Sequence, residues 1–234
     1  MRSQAGFSLI EIAIVLVMIG LLLGGVLKGQ ELITGARVRS LISQQDGIKA
    51  AYFGFFDRYR APPGDYGLAT TNIAGVTADG NGNNLVEFAA ACAAPSCQPA
   101  EYIVVWEHLS HAGFVNGSYT FAPAPATPTS VPRNPFGAYV QVVLDNTYGT
   151  GPAGPPIPAT RHNIKTGNWI PSDILAEIDR KIDDGDPVGG AFQFSVYYGG
   201  VGGAAPTGPG SCYAAGPPAS WGASITNCGG ASLL

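Results

Sequence analysis

Residues 7–27 read FSLIEIAIVLVMIGLLLGGVL, a run of 21 residues whose only charge is Glu11. About 20 apolar residues carry a helix across the hydrocarbon core of a bilayer. The run is therefore long enough to span, which constrains everything after it. A secretory signal is the competing explanation. Its apolar core runs about 7–15 residues and ends at an A-x-A-like site. Here the run is longer and no such site follows it. Glu11 is the exception inside the run, because a carboxylate at membrane depth is costly and is usually kept for a reason.

Charge narrows the remaining choices. Only 12% of the 234 residues are charged, and the formal net charge is −4. A strongly basic nucleic-acid binder would carry the opposite balance, and so would a polybasic membrane-surface protein. No nucleic-acid partner is inferred. Gly and Pro number 33 and 19, yet 46% of the residues are hydrophobic. That composition excludes a solvated disordered tail and a collagen-like repeat.

Glu11 lies four residues after Phe7, and Phe7 follows Gly6. A cut after Gly6 would create an α-amino group on Phe7. The ammonium of a neighbouring subunit could then neutralise Glu11 inside an apolar bundle. Such a pair would fix register more than it would add stability. The stretch MRSQAG|FSLIEIAIVLVMIG resembles the prepilin signature of type IV pilins and type II secretion pseudopilins. The resemblance implies a leader removed after Gly6 by a prepilin peptidase, N-methylation of Phe7, and Glu11 as the assembly carboxylate. It implies partners as well: like or related pilin subunits, the peptidase, and an inner-membrane assembly platform. The implied location is the bacterial inner membrane as a single pass with a periplasmic head, and then a pilus or pseudopilus filament. Where the family often has a helix-kinking proline this chain has Lys28; Gly20, Gly24 and Gly25 could loosen the helix instead. By simple count Lys28, Arg37 and Arg39 after the run outweigh Arg2 before it, which the positive-inside rule reads as the opposite orientation. The resemblance overrides that count, as do the cysteines, which favour an oxidising side.

Beyond Leu27, apolar residues fall at Val38, Leu41, Ile42, Ile48, Tyr52, Phe55, Phe56 and Tyr59. Their spacings, mostly 3, 4 and 7, mark one helical face. A single helix is expected over 7–60, stopped by Pro62 and Pro63. The expected organisation is a leader over 1–6, a transmembrane and amphipathic assembly helix over 7–60, and a head over 61–234. The fold class is α+β and pilin-like: a long N-terminal helix packed on a small antiparallel sheet with long Gly/Pro-rich loops. Tyr59 through Pro63-Gly64-Asp65 resembles a Tyr-x-x-x-Pro-Gly-Asp pattern found after the first helix in some prepilin-like proteins. Stretches 106–113 and 178–190 resemble the same subgroup.

Within the head, Glu101–His111 reads as a helix ended by Gly113. Ser172 reads as the cap of a second helix through Ile182. Ala138–Leu144 and Ala191–Tyr198 read as strands, paired with each other. The run from Gly199 to Leu234 has no charged residue and reads as loop.

Four cysteines, Cys92, Cys97, Cys212 and Cys228, all follow the apolar run. An even number in a loop-rich exported head suggests two disulfides with three connectivities, the local pairs being simplest. Asp79, Asn81 and Asn83 place oxygens at alternate positions, the opening rhythm of a calcium loop, with Glu87 as a further ligand. The match to an EF-hand then fails, because Asn84 stands for its glycine and Ala90 for its glutamate. No cofactor is required, and structural calcium is the one ion suggested. Asp183, Asp184 and Asp186 read as a solvated acidic cluster, and His108 with His111 as a weak metal pair. No constellation calls for an enzyme. The alternative to a filament subunit is a membrane-anchored, calcium-binding, adhesin-like module that does not polymerise.

Overall fold

The computed structural model describes residues 9–87, 100–123, 125–150, 157–197, 205–222 and 225–234. The chain divides into two compact units, Met1–Arg39 and Ser40–Leu234. Helix α1 (Leu9–Tyr59) begins in the first and ends in the second. In the first unit every residue from Leu9 to Lys28 is exposed. Among the described residues α1 is the one helix long and apolar enough to cross a membrane.

The second unit is α+β. Its helices are the end of α1, α2 (Ala69–Asn72), α3 (Glu101–His111) and α4 (Ser172–Ile182). Strands β1 (Gln141–Asp145), β2 (Arg161–Lys165), β3 (Phe192–Phe194) and β6 (Gly230–Leu233) form an antiparallel sheet in the order β1-β2-β6-β3. Strands β4 (Tyr213–Ala214) and β5 (Ser220–Trp221) form a separate antiparallel pair. Ile48, Ala51, Tyr52 and Phe55 bury one face of α1 at helical spacing. They join Ile103, Trp106 and Leu109 of α3 and Val142 and Ile164 of the sheet in one core. Each such large side chain contributes about 1.5–3 kcal/mol by leaving water.

Helix α3 ends where the sequence places its end. The Phe114 amide donates to Leu109 O at 2.9 Å and the Gly113 amide to Ser110 O at 3.1 Å. These two bonds make a Schellman stop, with Gly113 at φ +81° supplying the left-handed residue. Helix α4 has the expected span but another cap. Pro171 occupies the cap position, and no side chain caps the helix. The Ser172 hydroxyl instead donates to Gly222 O at 2.9 Å and accepts from the Ile225 amide at 3.0 Å. It ties the tail to the helix start.

The strands differ from expectation in pairing. β1 and β3 lie at opposite edges of the sheet and do not pair with each other; β2 and β6 lie between them. The run read as uncharged loop therefore supplies a central strand. Gly230 shows why that strand is built from small residues. A Cβ there would stand 2.3 Å from the Phe192 ring, so only glycine fits opposite the β3 aromatics. A disulfide joins Cys212 to Cys228 across 16 residues of the same tail. Loop closure of that length contributes about 3 kcal/mol in the chain-entropy account. Cys92 and Cys97 lie outside the described residues.

Candidate functional site

Three groups of residues can carry function, and the first is the N-terminal segment. Gly6 and Phe7 lie outside the described residues. Glu11 sits in the first turn of α1, amid exposed Leu9, Ile10, Ile12 and Ile14. A Cβ added at Gly20, Gly24, Gly25 or Gly29 would meet nothing within 4 Å. Nothing in this unit demands glycine there, although each glycine weakens a helix by about 1 kcal/mol relative to alanine. Past the apolar run, Lys28 and Glu31 form an exposed ion pair at 2.7 Å.

The second group is a loop wound around two buried carboxylates. Asp65, from the Pro-Gly-Asp stretch, is fully buried, and so is Glu101 in the first turn of α3. Asp65 accepts the amides of Gly82 at 2.7 Å, Asn83 at 3.0 Å and Asn84 at 2.7 Å. Glu101 accepts those of Asn81 and Glu87, both at 3.0 Å. Glu87 in turn accepts from the side-chain amides of Asn81 at 3.1 Å and Asn83 at 2.8 Å. The sharp turn that glycine makes in an EF-hand is made here by Asn84 at φ +64°, a conformation asparagine tolerates better than most residues.

The fold thus gathers three of the four oxygen-bearing residues read from the sequence, Asn81, Asn83 and Glu87. It adds Asp65 and Glu101, which sequence reasoning missed. The fourth, Asp79, turns elsewhere: its carboxylate accepts the Thr70 amide at 2.7 Å and the Thr70 hydroxyl at 2.8 Å, at the start of α2. Burial pushes the Glu101 carboxyl up to about 6, against the lowering effect of its two backbone bonds. Burial also raises Asp65, resisted by three backbone amides and reinforced by the charge of Glu87. None of the ion pairs among the described residues reaches Asp65, Glu87 or Glu101. The three carboxylates of this loop, Asp65, Glu87 and Glu101, thus all accept amide N–H groups of the loop itself.

The histidines do not form a metal pair. His108 is buried and both of its ring nitrogens are engaged. Nδ1 accepts the Gly64 amide at 3.0 Å, so Nε2 carries the proton and donates to Ala78 O at 2.9 Å. Burial holds its pKa below the usual histidine value, so the ring is a neutral brace between α3 and the loop. His111 instead faces Ala74 O at 3.2 Å.

The third group closes α4. Carboxylate oxygens of Asp179, Asp183 and Asp184 lie within 4.8 Å of one another, close enough to hold a metal ion. Asp183 is not merely solvated, as the sequence suggested. It accepts the amides of Ala191 and Phe192 and so fixes the start of β3. Asp179 accepts Trp221 Nε1 at 2.7 Å, and burial pushes its carboxyl up to about 6.

Comparison with known proteins bears on the first group. Residues 1–27 match a family model described as the prokaryotic N-terminal methylation motif. No curated protein and no solved structure matches the chain. The matched residues include Gly6, Phe7, Glu11 and the whole apolar run, and exclude the head. The chain therefore carries, over its first 27 residues, the type IV prepilin and pseudopilin signature.

Proposed function

We propose that this chain is a structural subunit of a type IV pilus or type II secretion pseudopilus, and not an enzyme. The observation that carries the reading is the methylation motif running directly into a helix whose apolar side chains, from Leu9 to Leu27, are exposed. In this reading a prepilin peptidase removes residues 1–6 and Phe7 is N-methylated. The helix over 7–60 holds the subunit in the inner membrane, with the head over 61–234 on the periplasmic side. An assembly platform then draws subunits out, and like or related subunits bury their apolar helices against one another. Repetition of one head-to-tail contact that does not close generates a helical filament.

Glu11 meets the Phe7 ammonium of a neighbour in the apolar bundle. Removing one partner of a buried ion pair leaves the other uncompensated, at a cost of about 3–5 kcal/mol. Glu11→Ala should therefore leave precursor levels and membrane insertion intact while abolishing shed filaments. Wild-type filament yield from the variant would sink the assembly role.

A second component rests on the anionic loop. We infer that Asn81, Asn83 and Glu87, with Asp65 and Glu101 behind them, take a structural calcium ion, and that Asp79 serves α2. A ligand present at about 100 times its Kd stabilises the folded state by about 2.7 kcal/mol. Calcium should therefore raise the melting temperature of the chain, chelator should reverse the rise, and Glu87→Gln should shrink it. An unchanged melting curve in millimolar calcium would remove the ion from the account.

A further inference from the structure

The sequence contains two Asn-Gly pairs, Asn81-Gly82 and Asn116-Gly117. At such a pair the glycine amide nitrogen can attack the asparagine Cγ. A carbon–nitrogen bond closes a five-membered succinimide and the side-chain nitrogen leaves as ammonia. Solvent water then opens the ring at either carbonyl and leaves aspartate or isoaspartate. No oxidant and no cofactor is needed. The step requires an unengaged glycine amide, a side chain free to turn, and water. The fold treats the two pairs oppositely.

Asn81 and Gly82 are exposed to water, but the other two requirements are obstructed there. The attacking nitrogen, that of Gly82, donates to Asp65 Oδ1 at 2.7 Å and to Asp65 O at 3.0 Å. The Asn81 side chain is held at both ends, donating to Glu87 at 3.1 Å and accepting from the Asn83 amide at 3.0 Å. Asn116 lies in the bend after α3. Both Asn116 and Gly117 are exposed. Among the described residues neither the Asn116 side chain nor the Gly117 amide has a hydrogen-bond partner. Gly117 stands at φ +112°, where other residues are not accommodated, so its small size is built into the turn.

We propose that Asn116 is a site of spontaneous deamidation in the folded protein and that Asn81 is protected from it. The product places a new carboxylate on the rim of a cleft of about 290 Å³ lined by Gln44, Trp106 and Tyr119. The isoaspartyl form also lengthens the backbone of the bend. The inference stands on the head alone and is independent of the filament reading.

The test uses the full-length chain in detergent, held in mildly alkaline buffer made with heavy-oxygen water. Peptide mass mapping then locates the incorporated oxygen. Hydrogen bonds to an ionised carboxylate protect against opening by about tenfold or more. Label should therefore accumulate at Asn116 at least about tenfold faster than at Asn81. In guanidinium, where the Asp65 bonds are gone, the two rates should converge. Asn116→Gln should remove the label from its peptide, because the longer side chain closes a less favourable ring. Equal rates at the two asparagines in the folded chain would overturn the proposal. So would an Asn116 that stays unlabelled when folded yet reacts in guanidinium.

Discussion

Phe55→Ala should destabilise the head by about 3–5 kcal/mol, the range for removing a buried phenylalanine ring. Phe55 is completely buried. Its ring is 4.5 Å from that of Tyr59, 6.1 Å from Phe114 and 6.3 Å from Tyr66. It also stacks on His108 at 6.0 Å, with 13° between the planes. One side chain thus ties α1 to α3, to the segment after α3 and to the stretch that carries Asp65. The site cannot collapse to fill the space, because His108 is held by hydrogen bonds at both nitrogens. Phe55→Leu keeps most of the volume and should cost less than about 1.5 kcal/mol. Chemical denaturation of the full chain in detergent, followed by near-ultraviolet circular dichroism, reads both values. A loss below about 1 kcal/mol for the alanine variant would mean this cluster is not the keystone of the head.

Lys165→Ala should be almost as damaging, for an electrostatic reason. Lys165 lies in β2 and is essentially buried. Its ammonium meets Asp145 Oδ2 at 2.6 Å and also donates to Thr147. Burial pulls the lysine pKa down, against the opposing charge of Asp145. Burial alone would push the Asp145 carboxyl up; the Lys165 charge, with bonds from Lys165, Thr147 and Asn163, brings it below the usual value. Deleting the lysine leaves a half-buried carboxylate without its counter-charge and opens a void in the sheet. Breaking a buried pair costs about 3–5 kcal/mol. The Asp145 side chain keeps 25% exposure, so the lower end, about 3 kcal/mol, is expected after allowing for solvent screening. Lys165→Met combined with Asp145→Asn removes both charges while keeping volume, and should recover most of that loss. A double variant no better than Lys165→Ala would show that packing, not charge, governs the site.

The local signals in the sequence were strong where the structure is local. The helix expected over 7–60 is observed over Leu9–Tyr59. The Gly113 stop holds to the residue. Each depends on periodicity or on a single punctuating residue, both of which are written in a short window. The sheet was harder to read because its middle is assembled from distant parts. β2 carries Arg161, His162, Asn163 and Lys165, and β6 carries Gly230, Ala231 and Ser232. Neither has the β-branched or aromatic content that marks a strand. The polar side chains of β2 are satisfied by tertiary partners such as Asp145. Gly230 of β6 answers to the Phe192 ring on β3. Such reasons appear only once the strands have met.

The candidate loop divides in the same way. Asn81, Asn83 and Glu87 declare themselves by alternate spacing. Asp65 and Glu101 lie 16 and 20 residues from Asn81 and converge on it only through the fold. The Pro-Gly-Asp stretch was the available signal, since an acid fixed after a helix-ending turn is well placed to collect loop amides. The N-terminal signature was the most legible of all, because it lies in one short stretch of sequence and owes nothing to the head.

The most direct test of the central claim is the intact mass and N-terminal sequence of the protein isolated from its native membrane or from shed filaments. The account predicts a chain that begins at Phe7 and carries one methyl group, about 14 Da, on its amine. A chain that still begins at Met1, or one cut beyond Leu27, would contradict it.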